Sequence, residues 1–266
     1  MGAEFNSVGR HTSQGEAYVF ARSGSAWRQA ARLTASDGAE GDFFGSSVAL
    51  SGNGSVVLVG APESAQGTYW GYQGAAYVFQ HSGNAWRQTG EFTCSDLGEG
   101  TEFGSALALS EDGGTALIGA PGASDTGLAY LFTRSGGKWR QTKTLLPADG
   151  GDNDGFGTDV ALSANGAVAL VGSPRHAESA RSAGGTAYLT VLQGRAYAYT
   201  RTGSVWRRAG ELSIASQEPA NSTFGVNWAT FGVSLALDDT GATLLIGAGI
   251  GNGYAGAGYV FTRGGK

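Results

Sequence analysis

The amino-acid sequence predicts an all-β fold, a β-propeller made of four-stranded antiparallel blades. A Phe-Gly pair and a Gly-Ala-Pro-like segment recur together, and the glycine follows the phenylalanine by 16 positions each time: 44 to 60, 103 to 119, 156 to 172 and 231 to 247. A tyrosine precedes a Trp-Arg pair by 9 positions: 18 to 27, 77 to 86, 130 to 139 and 197 to 206. A period of about 50 to 75 residues that contains several strands is typical of a propeller or a related array.

Each repeat contains four strand-like segments. The first, such as SSVAL, alternates small and branched residues, and the second, such as VVLVG, is continuously apolar and suited to burial on both faces. They are joined at Asn53-Gly54 or Asn165-Gly166, a pair in which both residues tolerate a positive φ. The third segment is AYVF, and the fourth begins at the repeated tryptophan. Four consecutive antiparallel strands form one blade, and the tryptophans in fixed register are predicted to pack between blades.

Composition supports one folded domain over residues 1–266 and excludes several classes of partner. The 266 residues include 47 glycines, and 41% of them are hydrophobic, which is enough for a sizeable core. The net charge is −5 and the basic residues are scattered, so a nucleic-acid surface is not expected. No apolar run approaches the roughly 20 residues that span a membrane. Cys94 is the single cysteine, so no disulfide can form within the chain.

The two ends of the chain do not follow the repeat completely. The third strand occurs a fifth time around Tyr259, so the chain opens on a third and fourth strand and closes on a third. Val8-Gly9 aligns with the end of a second strand, and residues 1–14 are interpreted as a truncated repeat or as added sequence. This interpretation predicts that the chain is a piece of a longer array. We expect the strands around Tyr18 and Trp27 to pair with the C-terminal blade, within one chain or between copies, which predicts a homo-oligomer formed through open edge strands.

The Phe-Gly and Gly-Ala-Pro pairs resemble the FG-GAP repeats of integrin α-subunit propellers and their bacterial relatives, over nearly the whole chain. The resemblance implies a propeller that serves in adhesion, ligand binding or surface display, and an extracellular or cell-surface location. It does not by itself imply an enzyme. Integrin propellers bind calcium between strands one and two. The corresponding segments here, SGNGS, SEDGGT, SANGA and DDTGA, are short and poor in acid, so that calcium site is not carried over.

Length variation points to one side of the propeller as the binding surface. From the Gly-Ala-Pro glycine to the next third-strand tyrosine the chain runs 17, 11, 25 and 12 residues, whereas the turns on the other side are short. Variable loops on a constant scaffold are where binding residues usually lie. Aromatic and polar side chains in these loops suit sugar rings. The candidate ligand contacts are Tyr69, Trp70, Tyr72, His176, Trp228 and Tyr254. In the alternative interpretation these rings cover the junctions between blades.

The same side carries acidic connections between blades. Asp149, Asp152 and Asp154 form the densest group of carboxylates and are the best candidates for a cation site. Calcium prefers several carboxylate or carbonyl oxygens, so Ca²⁺ is the cation to expect, although no cofactor is required. The alternative is that each aspartate caps a turn through its own backbone.

Two functional classes remain open, and the first is favoured. The protein is a non-enzymatic binding or adhesion module for a carbohydrate or protein ligand, or it is a propeller hydrolase that uses a metal to cleave an ester, lactone or phosphotriester. A structural or engineered repeat array is a third interpretation. No GxSxG, HExxH or P-loop motif occurs, and the 3 histidines lie far apart in the sequence. An enzyme is therefore not expected.

Overall fold

The computed structural model describes residues 1–65, 71–93, 98–181, 188–214, 228–249 and 256–263, with side chains omitted at 178–181, 188–192 and 228–229. These residues form strands, turns and loops without a helix, as the sequence predicts. No helix in this part of the chain is long and apolar enough to span a membrane.

Three complete blades of four antiparallel strands follow one another along the chain, and the third is joined by a short parallel pairing to the sheet after it. Blade 1 consists of β4 (Ser47–Leu50), β5 (Val56–Ala61), β6 (Ala75–Ser82) and β7 (Ala85–Phe92). Blade 2 consists of β8 (Ala106–Leu109), β9 (Thr115–Ala120), β10 (Leu128–Ser135) and β11 (Lys138–Leu145). Blade 3 consists of β12 (Val160–Leu162), β13 (Val168–Ser173), β15 (Tyr188–Thr202) and β16 (Val205–Leu212).

Shorter sheets lie at the two ends. The N-terminal sheet is made of β1 (Gly2–Ala3), β2 (Glu16–Ser23) and β3 (Ala26–Leu33). Blade 4 is made of β17 (Trp228–Leu237), β18 (Thr243–Ala248) and β19 (Ala257–Thr262). Among the described strands, β19 pairs only with β18 and β3 only with β2. The predicted pairing of the two ends within one chain is therefore not present in the described residues.

Neighbouring blades pack face to face, as in a propeller. The second strands β5, β9 and β13 are buried along their whole length, which confirms their apolar signature. The core lies between blades: one cluster joins Leu58 and Val78 of blade 1 to Ile118 and Phe132 of blade 2. Burying such side chains contributes about 1.5–3 kcal/mol each, so the blade interfaces hold most of the hydrophobic stabilisation.

The Phe-Gly pair is the joint between one blade and the next. The ring of Phe103 is fully buried and lies 5.5 Å from the ring of Tyr130 and 6.3 Å from that of Phe132, in the third strand of its own blade. Its backbone N–H donates to the carbonyl of Gln73 in the preceding blade, at 3.0 Å. The N–H of Gly104 donates to the carbonyl of Gly119 at 2.9 Å.

The same geometry recurs at the other joints. The phenylalanine-to-tyrosine ring distance is 5.4, 5.5, 5.4 and 5.5 Å in blades 1 to 4. The preceding blade contributes a glycine three residues before its third-strand tyrosine, with φ between 70° and 87°. A Cβ on any of these glycines would lie closer than 3.0 Å to the backbone of the Phe-Gly phenylalanine. The positions are Gly15, Gly74, Gly127 and Gly194.

The turn between strands one and two differs from the predicted form. Gly54 and Gly166 have φ of 68° and 61°, but Asn53 and Asn165 do not have a positive φ. The asparagine side chain instead accepts hydrogen bonds from the residues around it, in a longer turn that closes on a serine. A two-residue type I′ turn is therefore the wrong assignment, because the Asx and Ser side chains supply an alternative set of hydrogen bonds.

The N-terminal assignment also needs correction. Gly2 and Ala3 pair with Ala17 and Glu16, as Gly60 and Ala61 pair with Ala76 and Ala75 in blade 1. Gly2–Ala3 thus occupies the end of the second strand. Val8, which was assigned there, forms an isolated bridge with His11. Alignment on a single Val-Gly pair was misleading because the backbone register is set by the glycine that fits against the next blade.

Two further expectations are revised by packing. Trp139 packs against Phe92 of the preceding blade, at 5.3 Å and nearly perpendicular, and Trp206 is buried. Trp27 is 67% exposed, because no described sheet precedes its own.

The longest loop, after strand two of blade 3, contains a further strand: β14 (Ala177–Arg181) pairs antiparallel with the start of β15, so this segment is a hairpin.

The joint predicts an unequal effect of two glycine substitutions in blade 2. Gly127 and Gly136 both have positive φ, 87° and 57°, but a Cβ would meet the Phe156 backbone only at Gly127 and open space at Gly136. Each alanine substitution should cost roughly 1–2 kcal/mol through the left-handed conformation. Gly127→Ala should cost about 1–3 kcal/mol more, through overpacking against the next blade. Urea unfolding of both variants measures the difference, and equal losses would contradict the role of the joint.

Candidate functional site

The antiparallel topology divides the turns and loops between two rims. We call hairpin rim the side with the turns between strands one and two, at 51–55, 110–114, 163–167 and 238–242, together with the turns between strands three and four. We call connection rim the opposite side, with the connections from strand two to three and from one blade to the next. By their place in the sequence, all six predicted ligand contacts and all three predicted metal ligands fall in segments that connect strand two to three or one blade to the next.

The hairpin rim has one chemistry in all blades. A side-chain oxygen at the start of each turn accepts the backbone N–H five residues later, from Ser51 to Val56 at 3.0 Å, Ser110 to Thr115 at 2.8 Å, Ser163 to Val168 at 2.9 Å and Asp238 to Thr243 at 3.0 Å. The turns also bond to each other around the ring. Glu111 donates its N–H to the carbonyl of Ala164 at 2.9 Å, and Ala164 donates to that of Asp239 at 3.0 Å. These residues hold the scaffold together.

The connection rim places different side chains on the same backbone. Ser64, Ala123 and His176 occupy equivalent positions, four residues after the Gly-Ala-Pro glycine. Each carbonyl accepts the N–H of the third-strand joint glycine, at 3.0 Å for Gly74, 2.9 Å for Gly127 and 3.2 Å for Gly194. The three side chains are buried to a similar extent. The backbone is therefore fixed here while the chemistry of the side chain varies.

In blade 3 this variation produces a buried Asp–His pair. Nδ1 of His176 lies 2.6 Å from Oδ2 of Asp154, and both side chains are more than nine-tenths buried. The same Oδ2 accepts the N–H of Gly151 at 2.8 Å. The pair joins the connection that enters blade 3 to the base of the β14–β15 hairpin, since Gln193 donates its N–H to the carbonyl of His176 at 3.1 Å.

Beside this pair, a charged group lies at the start of the third strand of blade 3. Arg195 is hydrogen-bonded to both Asp149 and Glu211. Arg208 lies 3.7 Å from Asp149 and 3.5 Å from Glu211. The hydroxyl of Tyr197 donates to Asp149 at 3.1 Å, while burial and then the Asp149 charge raise the pKa of this phenol. The group offers donors and acceptors of both signs to a ligand at the rim.

Sequence reasoning missed Arg195, Arg208 and Glu211. Arg195 stands where blades 1 and 2 have Ala75 and Leu128, immediately before the Ala-Tyr of the third strand. The departure from the repeat was visible in the sequence. Its meaning was not, because the partner Asp149 is 46 residues away and reaches Arg195 only through the fold.

The six predicted ligand contacts have different outcomes in the structure. Tyr72 is 52% exposed on the connection rim, and its carbonyl accepts the N–H of Gly100 at 2.7 Å. His176 is buried in the pair with Asp154, and in this arrangement it supports the rim and is not exposed on it. The backbone of Trp228 pairs with that of Leu192. The side chain of Trp228 and the whole of Tyr69, Trp70 and Tyr254 lie outside the described residues.

The predicted metal ligands are not brought together. Asp154 is bound to His176 and Gly151, and Asp149 to Arg195 and Tyr197, so the turn and pairing roles account for both. Asp152 belongs to neither of these two sets of hydrogen bonds. Across the described ranges, no set of three His, Cys, Asp or Glu side chains is arranged to hold a metal ion. Binding of calcium stays a prediction.

The comparisons with known proteins identify the repeat family. The profile of the FG-GAP repeat matches residues 27–79, 86–132 and 139–190, more than half of the chain. The protein therefore belongs to the FG-GAP repeat family, as the resemblance of its motifs suggested, and its sheets have the arrangement of propeller blades. A search of curated protein sequences gave no match.

Solved structures with similar folds share little sequence with this chain. TolB from Acinetobacter baumannii has a TM-score of 0.43 at 13% identity, over 90% of this chain and 44% of that one. The periplasmic gluconolactonase PpgL of Pseudomonas aeruginosa has a TM-score of 0.43 at 11% identity, over 92% of this chain and 78% of that one. The propeller domain of Cps50 (Swd1) from Myceliophteria thermophila has a TM-score of 0.47 at 11% identity, over 82% of this chain and 53% of that one. The chain thus spans about half or less of the length of two of these three proteins. Because these TM-scores are low, the assignment of the fold rests on the family match and on the arrangement of the sheets.

Asp42, which occupies in blade 1 the position of Asp154, predicts a pH effect. Burial raises the pKa of this carboxyl; the hydrogen bond from the Ala39 N–H lowers it and the nearby Asp37 raises it further. The folded state therefore binds the proton more readily than the unfolded state. This group's contribution to stability should increase as pH falls from about 7 to about 4. The unfolding free energy of the wild type relative to Asp42→Asn should rise over that range, and a constant or falling difference would count against the burial.

The arrangement of Asp149, Asp152 and Asp154 predicts that calcium does not stabilise the fold through them. Asp149 and Asp154 take part in hydrogen bonds within the protein, and no group of three His, Cys, Asp or Glu among the described residues is arranged to hold a metal ion. The melting temperature should be the same in EDTA and in excess calcium, measured by circular dichroism. A rise with calcium that is lost in an Asp149→Asn, Asp152→Asn and Asp154→Asn variant would show that the loop closes around the ion after all.

Proposed function

We propose that the protein is a non-enzymatic binding module of the adhesion type, which uses the connection rim to bind a carbohydrate or protein ligand. One observation carries the proposal. The first turn residue of the hairpin rim uses a side-chain oxygen in the same way in all four blades, whereas equivalent positions of the connection rim, such as Ser64, Ala123 and His176, carry different side chains. A scaffold position keeps the residue that its hydrogen bonds require, whereas a binding position is free to differ from blade to blade.

The contrast holds where the backbone is the same, so loop length is not its cause. On the hairpin rim, the first turn residue is Ser51, Ser110 or Ser163, and each uses its hydroxyl in one way. On the connection rim, the residue before the third-strand Ala-Tyr is alanine in blade 1, leucine in blade 2 and arginine in blade 3. Nothing in the joint between blades requires any of these three side chains.

The side chains present on this rim suit a ligand rich in hydroxyl and amide groups. The group of Arg195, Asp149, Glu211 and Arg208 supplies donors and acceptors that lie close together and are partly exposed. Tyr72 supplies an exposed ring for the apolar face of a sugar or a side chain. Ligand sites commonly combine a few converging polar groups with aromatic surface. An extracellular or cell-surface location belongs to the same proposal, and so does the use of several copies to raise avidity.

The test combines a ligand search with variants on both rims. The protein is screened against a panel of glycans and a panel of surface proteins, and against chromogenic esters and lactones with and without calcium. Tyr72→Ala, Trp70→Ala and Trp228→Ala should weaken binding of the ligand found by about two- to twelvefold each, the equivalent of roughly 0.5–1.5 kcal/mol for a stacked ring. Trp27→Ala is the matched control, since Trp27 is exposed but lies away from the connection rim.

Three results would contradict the proposal. Binding that is lost in Trp27→Ala and kept in the rim variants would place the site elsewhere. Unfolding of both Trp70→Ala and Trp228→Ala, seen in their melting curves, would show that these rings cover blade junctions. Turnover of an ester or lactone that requires residues of the connection rim would favour the hydrolase.

A further inference from the structure

We propose that Asn53 and Asn165, on the hairpin rim, are sites of spontaneous deamidation, and that the hydrogen bonds on each asparagine side chain set its rate. Each asparagine is exposed and is followed by a glycine; Gly54 is exposed as well, whereas Gly166 is buried. The modification is independent of the proposed ligand. It concerns the rim that holds the blades together.

The reaction uses only the asparagine, the following glycine and water. The backbone nitrogen of Gly54, on losing its proton, attacks Cγ of Asn53, and the side-chain nitrogen leaves as ammonia. A five-membered succinimide results. Water then opens the ring at one of its two carbonyl groups and gives aspartate or isoaspartate. Overall, one water is consumed and one ammonia is released.

The folded turn opposes the first step at both reacting groups. The N–H of Gly54 donates to the carbonyl of Ser51 at 2.8 Å, so its proton is held in a hydrogen bond. Oδ1 of Asn53 accepts three hydrogen bonds, from the hydroxyl of Ser51 at 2.8 Å and from the N–H and hydroxyl of Ser55 at 3.0 and 2.7 Å. Turning Cγ onto the Gly54 nitrogen breaks these bonds.

The turn in blade 3 differs in two respects: one donor is absent, and Gly166 is buried against Thr115 of blade 2, whereas Gly54 has open space around it. The N–H of Gly166 donates to the carbonyl of Ser163 at 2.8 Å. Oδ1 of Asn165 accepts from the hydroxyl of Ser163 at 2.8 Å and from the N–H of Ala167 at 2.9 Å. Ala167 has no hydroxyl where blade 1 has Ser55, so Asn165 has two hydrogen bonds where Asn53 has three. The missing hydrogen bond favours reaction at Asn165 and the burial of Gly166 opposes it, so the effect of a hydrogen bond is measured by changing it within one turn.

Blade 2 shows what the turn does with the aspartate product. Asp112 occupies the asparagine position, and its Oδ1 accepts from the hydroxyl of Ser110 at 2.6 Å and from the N–H of Gly114 at 2.8 Å. The hydrogen bonds from Ser110 and Gly114 lower the pKa of Asp112. Deamidation to aspartate is therefore compatible with the fold. Isoaspartate adds a methylene to the backbone between turns that bond to each other, and should loosen that contact.

The experiment measures deamidation at both sites in the same folded molecule. The intact protein is incubated in mildly alkaline buffer, digested at intervals and analysed by mass spectrometry, with isoaspartate resolved from aspartate by electron-transfer fragmentation. Ser55→Ala should raise the rate at Asn53 about fivefold, the factor that corresponds to one hydrogen bond of about 1 kcal/mol, and leave Asn165 unchanged. Ala167→Ser should slow Asn165 alone.

Several outcomes would overturn the proposal. An unchanged ratio of the two rates in either variant would do so. An equal increase at both sites in Ser55→Ala would show that the variant acts through global stability, which the melting temperature records. In denaturant both sites should react faster and at similar rates, and a difference that persists there would belong to the local sequence and not to the folded turn.

Discussion

The joint between successive blades is the interaction on which the rest of the structure depends. At each joint a buried phenylalanine packs on the third strand of its own blade, while its backbone lies directly against a glycine of the blade before. The Gly-Ala-Pro glycine fits against the Phe-Gly glycine of the following blade; a Cβ at Gly119 would lie closer than 3.0 Å to the carbonyl of Gly157. The two motifs that mark the family are therefore two halves of one contact, repeated along the chain.

This contact explains which part of the fold could be predicted from the sequence. The four strands of a blade, the burial of the second strand and the constant spacings all follow from a joint that tolerates no change of register. The joint glycine at position 74 or 127 was also present in the sequence, three residues before the tyrosine, but its importance becomes clear only when the backbone of Phe103 or Phe156 is placed against it. The turn at Asn53-Gly54 was mispredicted because side-chain hydrogen bonds outweighed the usual preference of the dipeptide.

The candidate site was less predictable for a different physical reason. The choice of rim followed from topology and loop length, which the sequence shows directly. The contacts on that rim did not, because His176 pairs with Asp154 and Arg195 with Asp149 across distances of 22 and 46 residues. A histidine that opens a long loop reads as a ligand contact, and in the fold it is a buried support for a hairpin. Side chains that leave the repeat pattern are thus informative about where function lies, and much less about which atoms face the ligand.

The two rims divide the tasks of the molecule. The hairpin rim repeats one set of hydrogen bonds and links the turns of neighbouring blades, whereas the connection rim keeps the backbone and varies the side chains. We expect the joints to make the blades a single cooperative unit. Native-state hydrogen exchange measures this cooperativity residue by residue. The amides of Phe103, Gly104, Phe156 and Gly157 should exchange as slowly as those in the central strands β9 and β13. Fast exchange at these four amides while the strands remain protected would contradict the claim.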